Sequence, residues 1–153
     1  MKSFAFVAAA LLSAVSAAPL ESRQASTEFD ITDFYAGCIP HSSQCPLSLT
    51  AAVSPTKSVS CRVVALSYRT LPDFPPTACE NDNSVSVSLT HVEGGANLVV
   101  NWGYDVGFNL TGTRFIPDSE IVETNTQSPT GIVETYVGPK DFVITDLQAI
   151  AVL

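Results

Sequence analysis

Cysteine, histidine and carboxylate are the side chains in this sequence whose types and spacing could do chemistry. Four cysteines stand at Cys38, Cys45, Cys61 and Cys79, and two histidines at His41 and His91. Cys38, His41 and Cys45 have a spacing near that of zinc ligands, but a matching second ligand pair is missing, so no metal is expected. A nucleophilic hydrolase needs a nucleophile with a base. Serines abound, yet Gly-x-Ser-x-Gly is absent; His91 continues an apolar face as a core or edge histidine, and His41 lies in a cysteine-bearing loop. Two carboxylates of a glycosidase pair could be drawn from Asp118, Glu120, Glu123 and Glu134. Acids on solvent faces are common, however, in a chain with 15 Asp+Glu against 7 Lys+Arg. No catalytic residue and no cofactor are expected, and the chain reads as a non-enzyme. The cysteines read as bridges, for which four residues allow three connectivities. Asn109-Leu110-Thr111 is the sequence's one N-glycosylation sequon, and its asparagine falls on a polar strand face, as an acceptor must.

These residues need elements to position them. Lys2, the apolar run Phe4–Val15 and the small residues Val15-Ser16-Ala17 read as a signal peptide over 1–17. Residues 18–28 read as a processed or flexible segment, with the mature chain beginning at Ala18 or, after a second cleavage, at Gln24. The apolar run is too short for a membrane anchor, and Leu147–Leu153 is too short for a lipid-anchor tail, so free secretion is expected. From Phe29 onward the pattern is alternation. Phe29–Tyr35 reads as a first strand, Ala36–Pro46 as a loop, and Leu47–Ala51 as a short second strand. Ser58–Arg69 and Ser84–His91 form a central pair; in the second run Val85, Val87, Leu89 and His91 share one face. Between them, Leu71–Pro76 holds three prolines that remove donors, predicting a stiff surface loop. Phe74 in that loop is either a core lid or a contact residue. Glu93–Ala96 carries a Gly-Gly hairpin signal, followed by a strand Leu98–Val106 with Trp102 on its apolar face and a corner at Gly107. Further strands are read at Phe108–Ile116, Glu120–Thr124, Gly131–Val137, Asp141–Thr145 and Leu147–Leu153, with a polar loop over Asn125–Thr130.

At 153 residues the chain is long enough to bury one core. The net charge of −8 repels phosphate backbones and anionic lipid, so neither nucleic acid nor a membrane is an expected partner. Only 14% of residues are charged, while Ser, Thr, Val and Ala dominate. That composition suits antiparallel strands with hydroxyl-rich outer faces. The fold class is therefore all-β: a single-domain compact antiparallel β-barrel or β-sandwich over 29–153, stapled by disulfides.

Four pieces carry a family resemblance: Ala18–Gln24 after the signal peptide, Phe29-Asp30-Ile31-Thr32-Asp33-Phe34-Tyr35, the pair Ser60-Cys61 and Ala78-Cys79-Glu80-Asn81, and Gly138-Pro139-Lys140-Asp141-Phe142-Val143. In type and order the chain resembles the Alt a 1-like family of secreted fungal proteins, which includes hypersensitive-response elicitors. The resemblance implies a β-barrel or β-sandwich, extracellular and wall-associated. It also implies an allergen-like or elicitor-type role in host interaction, exerted by surface binding to a plant receptor or to a host defence protein of the thaumatin-like class. It pairs Cys61 with Cys79, leaving Cys38 for Cys45. In the chain-entropy model the Cys61–Cys79 bridge contributes roughly 3 kcal/mol.

The departures from the family pattern limit what can be carried over. The family's intersubunit cysteine has no counterpart in Ala25-Ser26-Thr27, so any homodimer forms without that disulfide. A C-terminal family cysteine is replaced by Ile144. No ligand residue is carried over. Phe74 with its proline-rich loop, or the Cys38 loop, supplies the candidate contacts. The alternative expectation is a fungal wall or spore carrier that holds a small aromatic ligand in a barrel mouth or dimer junction.

Overall fold

Alternation of small apolar and hydroxyl residues extends the described residues into eleven strands, all of them paired antiparallel. A computed structural model describes residues 26–125 and 131–152. The expected signal peptide, most of the 18–28 segment, residues 126–130 and Leu153 lie outside the described residues. The strands are β1 Phe29–Ala36, β2 Gln44–Ser54, β3 Lys57–Leu66, β4 Phe74–Cys79, β5 Asp82–Val92, β6 Gly95–Asp105, β7 Phe108–Pro117, β8 Ile121–Asn125, β9 Ile132–Tyr136, β10 Phe142–Ile144 and β11 Leu147–Ala151. A 3-10 turn, Asp118–Glu120, separates β7 from β8. No helix among the described residues is long and apolar enough to cross a membrane, which says nothing of a β-barrel span.

The strands form a four-stranded sheet ordered β10-β1-β2-β3, a five-stranded sheet ordered β11-β7-β6-β5-β4, and a β8-β9 hairpin. Phe29, Ile31 and Phe34 from β1, Leu47, Leu49 and Val53 from β2, and Val85, Val87, Leu89, Leu98 and Val100 from β5 and β6 meet in one buried core. At one side Thr145 and Asp146 carry the chain from β10 in the first sheet directly into β11 in the second. At the other side the Cys61–Cys79 disulfide ties β3 to β4. Two sheets joined at both sides make a flattened barrel.

Four local readings of the sequence are corrected. The loop expected over 36–46 is shorter, because β2 starts at Gln44 and takes Cys45 and Pro46 into register with Ala65 and Val64. The β1 alternation slips at Asp33, whose φ of +54° breaks the pairing with β2 between Thr32 and Tyr35 and puts Phe34 inside. Val106 leaves the apolar face to enter the β6–β7 turn with Gly107, which has a positive φ, and is 94% exposed. Phe74–Cys79 is a strand rather than a surface loop. It is the edge strand of its sheet, and its pairing with β5 skips from Phe74 to Thr77, so Pro75 and Pro76 sit where no donor is required.

Candidate functional site

The cysteines pair Cys38 with Cys45 and Cys61 with Cys79, and none is free. The first bridge closes the loop that carries His41, whose φ of +60° marks a tight reversal. Phe74, offered by the sequence as a partner contact, has no exposed surface. Its ring points into the core from the edge strand beside Leu89, so it cannot touch a partner and the contact role is withdrawn. Among the described residues no group of three or more His, Cys, Asp or Glu could hold a metal ion.

The acids nominated for catalysis gather on one side of the molecule, where the carboxylates of Glu134 and Glu120 are engaged with neighbouring segments. Glu123 and Glu134 face each other across the β8–β9 ladder. A Glu134 carboxylate oxygen accepts the Leu71 N–H at 2.7 Å, while its backbone N–H donates to Arg69 and its carbonyl accepts from Cys38. Asp118 and Glu134 line a cleft of about 340 Å³ with Thr70, Leu71, His91 and Ile121. At its rim Asp73 Oδ1 accepts the His91 backbone N–H at 2.8 Å and lies 2.8 Å from His91 Nδ1. Those two contacts, the backbone one foremost, hold the Asp73 carboxyl below its usual range. His91 is exposed rather than core, although it continues the phase of the buried Val85, Val87 and Leu89.

A half-buried charge cluster escaped the sequence reading. Arg114 sits on the inward face of β7 between Gly112 and Ile116, its guanidinium 4.0 Å from the Phe142 ring centroid and 3.6 Å from Glu120. The Tyr136 hydroxyl donates to the Pro139 carbonyl at 2.8 Å, and its ring packs edge-on against Phe34. Burial first, then the Glu120 charge, pushes the Tyr136 phenol above its ordinary value. Arg114 thus pins the 3-10 turn and the β9–β10 connection over one barrel end. The signal was available, since position 114 shares phase with Phe108 and Leu110.

Two surfaces remain open. On the outer face of the four-stranded sheet, Arg62, Val64 and Leu66 alternate outward along edge strand β3, and Tyr68 and Arg69 follow. Leu66 is 76% exposed and Tyr68 64% exposed, with the Arg69 guanidinium carbon 5.2 Å from the Tyr68 ring centroid. Tyr35 stands two strands further in, on a row with Ser48 and Arg62. The apolar strip is therefore bracketed by two of the few cations of an acidic protein. At the opposite end, Trp102, Tyr104 and Phe108 stand on the inward side of the five-stranded sheet. Their ring centroids are 5.6 Å and 6.3 Å apart in sequence, and Trp102 and Tyr104 are only half-buried. Asn109 lies in β7 between Gly103 of β6 and Ile150 of β11, half-buried on the outer face.

No protein-family model matches the chain, and no curated protein matches it. Two solved structures do, both crystal structures of the Alternaria alternata major allergen Alt a 1. One is 15% identical with a TM-score of 0.52, covering 82% of this chain and 95% of the allergen chain. The other is 16% identical with a TM-score of 0.54, covering 89% and 98%. The chain therefore has an Alt a 1-like fold, all-β and antiparallel, as the sequence resemblance implied.

Proposed function

We propose that this protein is a secreted fungal binding protein, not an enzyme, that works in host interaction through the outer face of its four-stranded sheet. The observation that carries the reading is the exposed strip Val64, Leu66 and Tyr68 between Arg62 and Arg69. Exposed apolar side chains in a row mark an interaction site more often than scattered ones do. Arginines at the rim of a net-acidic molecule select an oppositely charged rim on the partner. The partner chemistry is a protein with an apolar groove edged by carboxylates, and a plant defence protein of the thaumatin-like class or an immune receptor is the candidate that the family resemblance supplies. The engaged carboxylates Glu134 and Glu120 favour a non-catalytic reading.

The test is leaf infiltration of purified secreted protein, scored for cell death and defence-gene induction, beside titration against a purified thaumatin-like protein. Leu66→Glu with Tyr68→Ala should abolish both responses while the circular dichroism stays native. A wild-type protein inert in several hosts, or a double variant as active as wild type, would overturn the surface reading. A second reading, a carrier of a small aromatic ligand, is favoured by Trp102, Tyr104 and Phe108 at the barrel end. Quenching of Trp102 fluorescence by a flavonoid-type compound, lost on Tyr104→Ala, would move that reading ahead.

A further inference from the structure

In a chain of net charge −8, the stretches 84–90, 97–103, 109–113 and 148–150 of the five-stranded sheet contain no charged residue. Val87, Leu89, Leu98, Val100 and Leu110 are buried inward, so their alternates face out. One ladder row on that outer face reads Ser86, Asn101, Thr111, Gln148, and the next reads Ser88, Val99, Thr113. The face is neutral, and its polar groups there are hydroxyls and amides.

Asn109 stands one position along from that first row. Gly103 beside it has no side chain, and the Asn109 amide lies over it, with Oδ1 3.3 Å from where a Cβ would be. No hydrogen bond engages that amide among the described residues. Residues i and i+2 of a strand share a face, so the Thr111 hydroxyl stands on the same side as Asn109.

We propose that Asn109 carries an N-linked glycan whose inner sugars lie over this neutral face. The attachment uses a lipid-pyrophosphate-linked oligosaccharide. The Asn109 Nδ2–C1 bond forms as the C1–oxygen bond to pyrophosphate breaks, the amide loses one proton to the transferring enzyme's base, and the lipid pyrophosphate leaves. The glycan covers the outer side of the five-stranded sheet and leaves the Arg62–Arg69 strip on the other sheet as the face open to proteins. The inference rests on the chain entering the secretory route.

The experiment takes the full chain secreted by a filamentous fungus or yeast and measures intact mass before and after endoglycosidase treatment. The expected result is a glycan mass on the wild type, retained in Thr111→Ser and lost in Thr111→Ala. Hydroxyl-radical labelling then compares wild type with Thr111→Ala: Ile150, beside Asn109, should lose its protection in the variant while Tyr68 labels equally in both. A secreted wild type at bare polypeptide mass overturns the proposal and leaves secretion standing. A chain found only inside the cells overturns secretion and the proposal together. A glycan with unchanged Ile150 labelling overturns its placement on the sheet.

Discussion

Phe74→Ala separates a core role from a contact role. The Phe74 ring is fully buried and begins an edge strand, where it shares a ladder position with Leu89 and so helps hold β4 against β5. Its transfer out of water contributes about 1.5–3 kcal/mol. Truncation adds the cavity left beneath a strand that Pro75 and Pro76 have already deprived of ladder bonds, giving about 3–5 kcal/mol in total. With a urea slope of about 1–3 kcal/mol/M, the unfolding midpoint should fall by roughly 2 M. The single, half-buried Trp102 reports the transition by fluorescence. Phe74→Leu, which keeps part of the volume, should fall between the two. An alanine variant with an unchanged midpoint but weakened partner binding would refute the argument and restore Phe74 as a contact.

Replacing Cys61 and Cys79 together by alanine should lower stability by about 3 kcal/mol, read in the same urea titration, since the bridge closes a separation of 18 residues. Gly112→Ala should cost about 1–3 kcal/mol, because its methyl would meet Leu147 at 2.7 Å, Ile144 at 2.9 Å and Phe29 at 3.0 Å; an unshifted melting temperature would show that these side chains yield freely. The Lys57 ammonium, then Ser84, hold the Asp82 carboxyl down at about 2 against a free value of 3.8. A depressed carboxylate stabilises fully above its unfolded pKa and loses that contribution as pH falls through the folded one. The melting-temperature gap between wild type and Asp82→Asn should therefore be present at pH 6, narrow between pH 4 and 2, and vanish below; a gap independent of pH would contradict the assignment.

The strands were legible wherever apolar and polar residues alternate without interruption. Ser84–Leu89 and Leu98–Trp102 are the clearest, because a one-residue slip would turn Val87 or Leu98 into water. What hid was geometry that depends on neighbours. Nothing in Thr32-Asp33-Phe34 announces that Asp33 takes a positive φ, since only the need to bury Phe34 demands it. Pro75-Pro76 argued for a loop because local propensity cannot say that this strand lies at an edge. The Arg62–Tyr68 strip was missed for a related reason: the apolar run Val63-Val64-Ala65-Leu66 does not say which of its alternate residues face outward. The role of Glu134 depends on Leu71, a separation of 63 residues, and that of Arg114 on Phe142 of another sheet.

The two disulfides also set how the molecule responds to being pulled by its ends. Force entering at β3 crosses to β4 through the sulfurs, so the chain between Cys61 and Cys79, a separation of 18 residues, never lengthens while the bond is intact. At ~3.4 Å per extended residue that withholds roughly 60 Å of contour length. The Cys38–Cys45 loop, a separation of 7, withholds roughly 20 Å more. A single molecule stretched under oxidising conditions should stop short by the sum of the two, and a reducing pulse should release them as two further steps of unequal length, the longer belonging to the seam between the sheets.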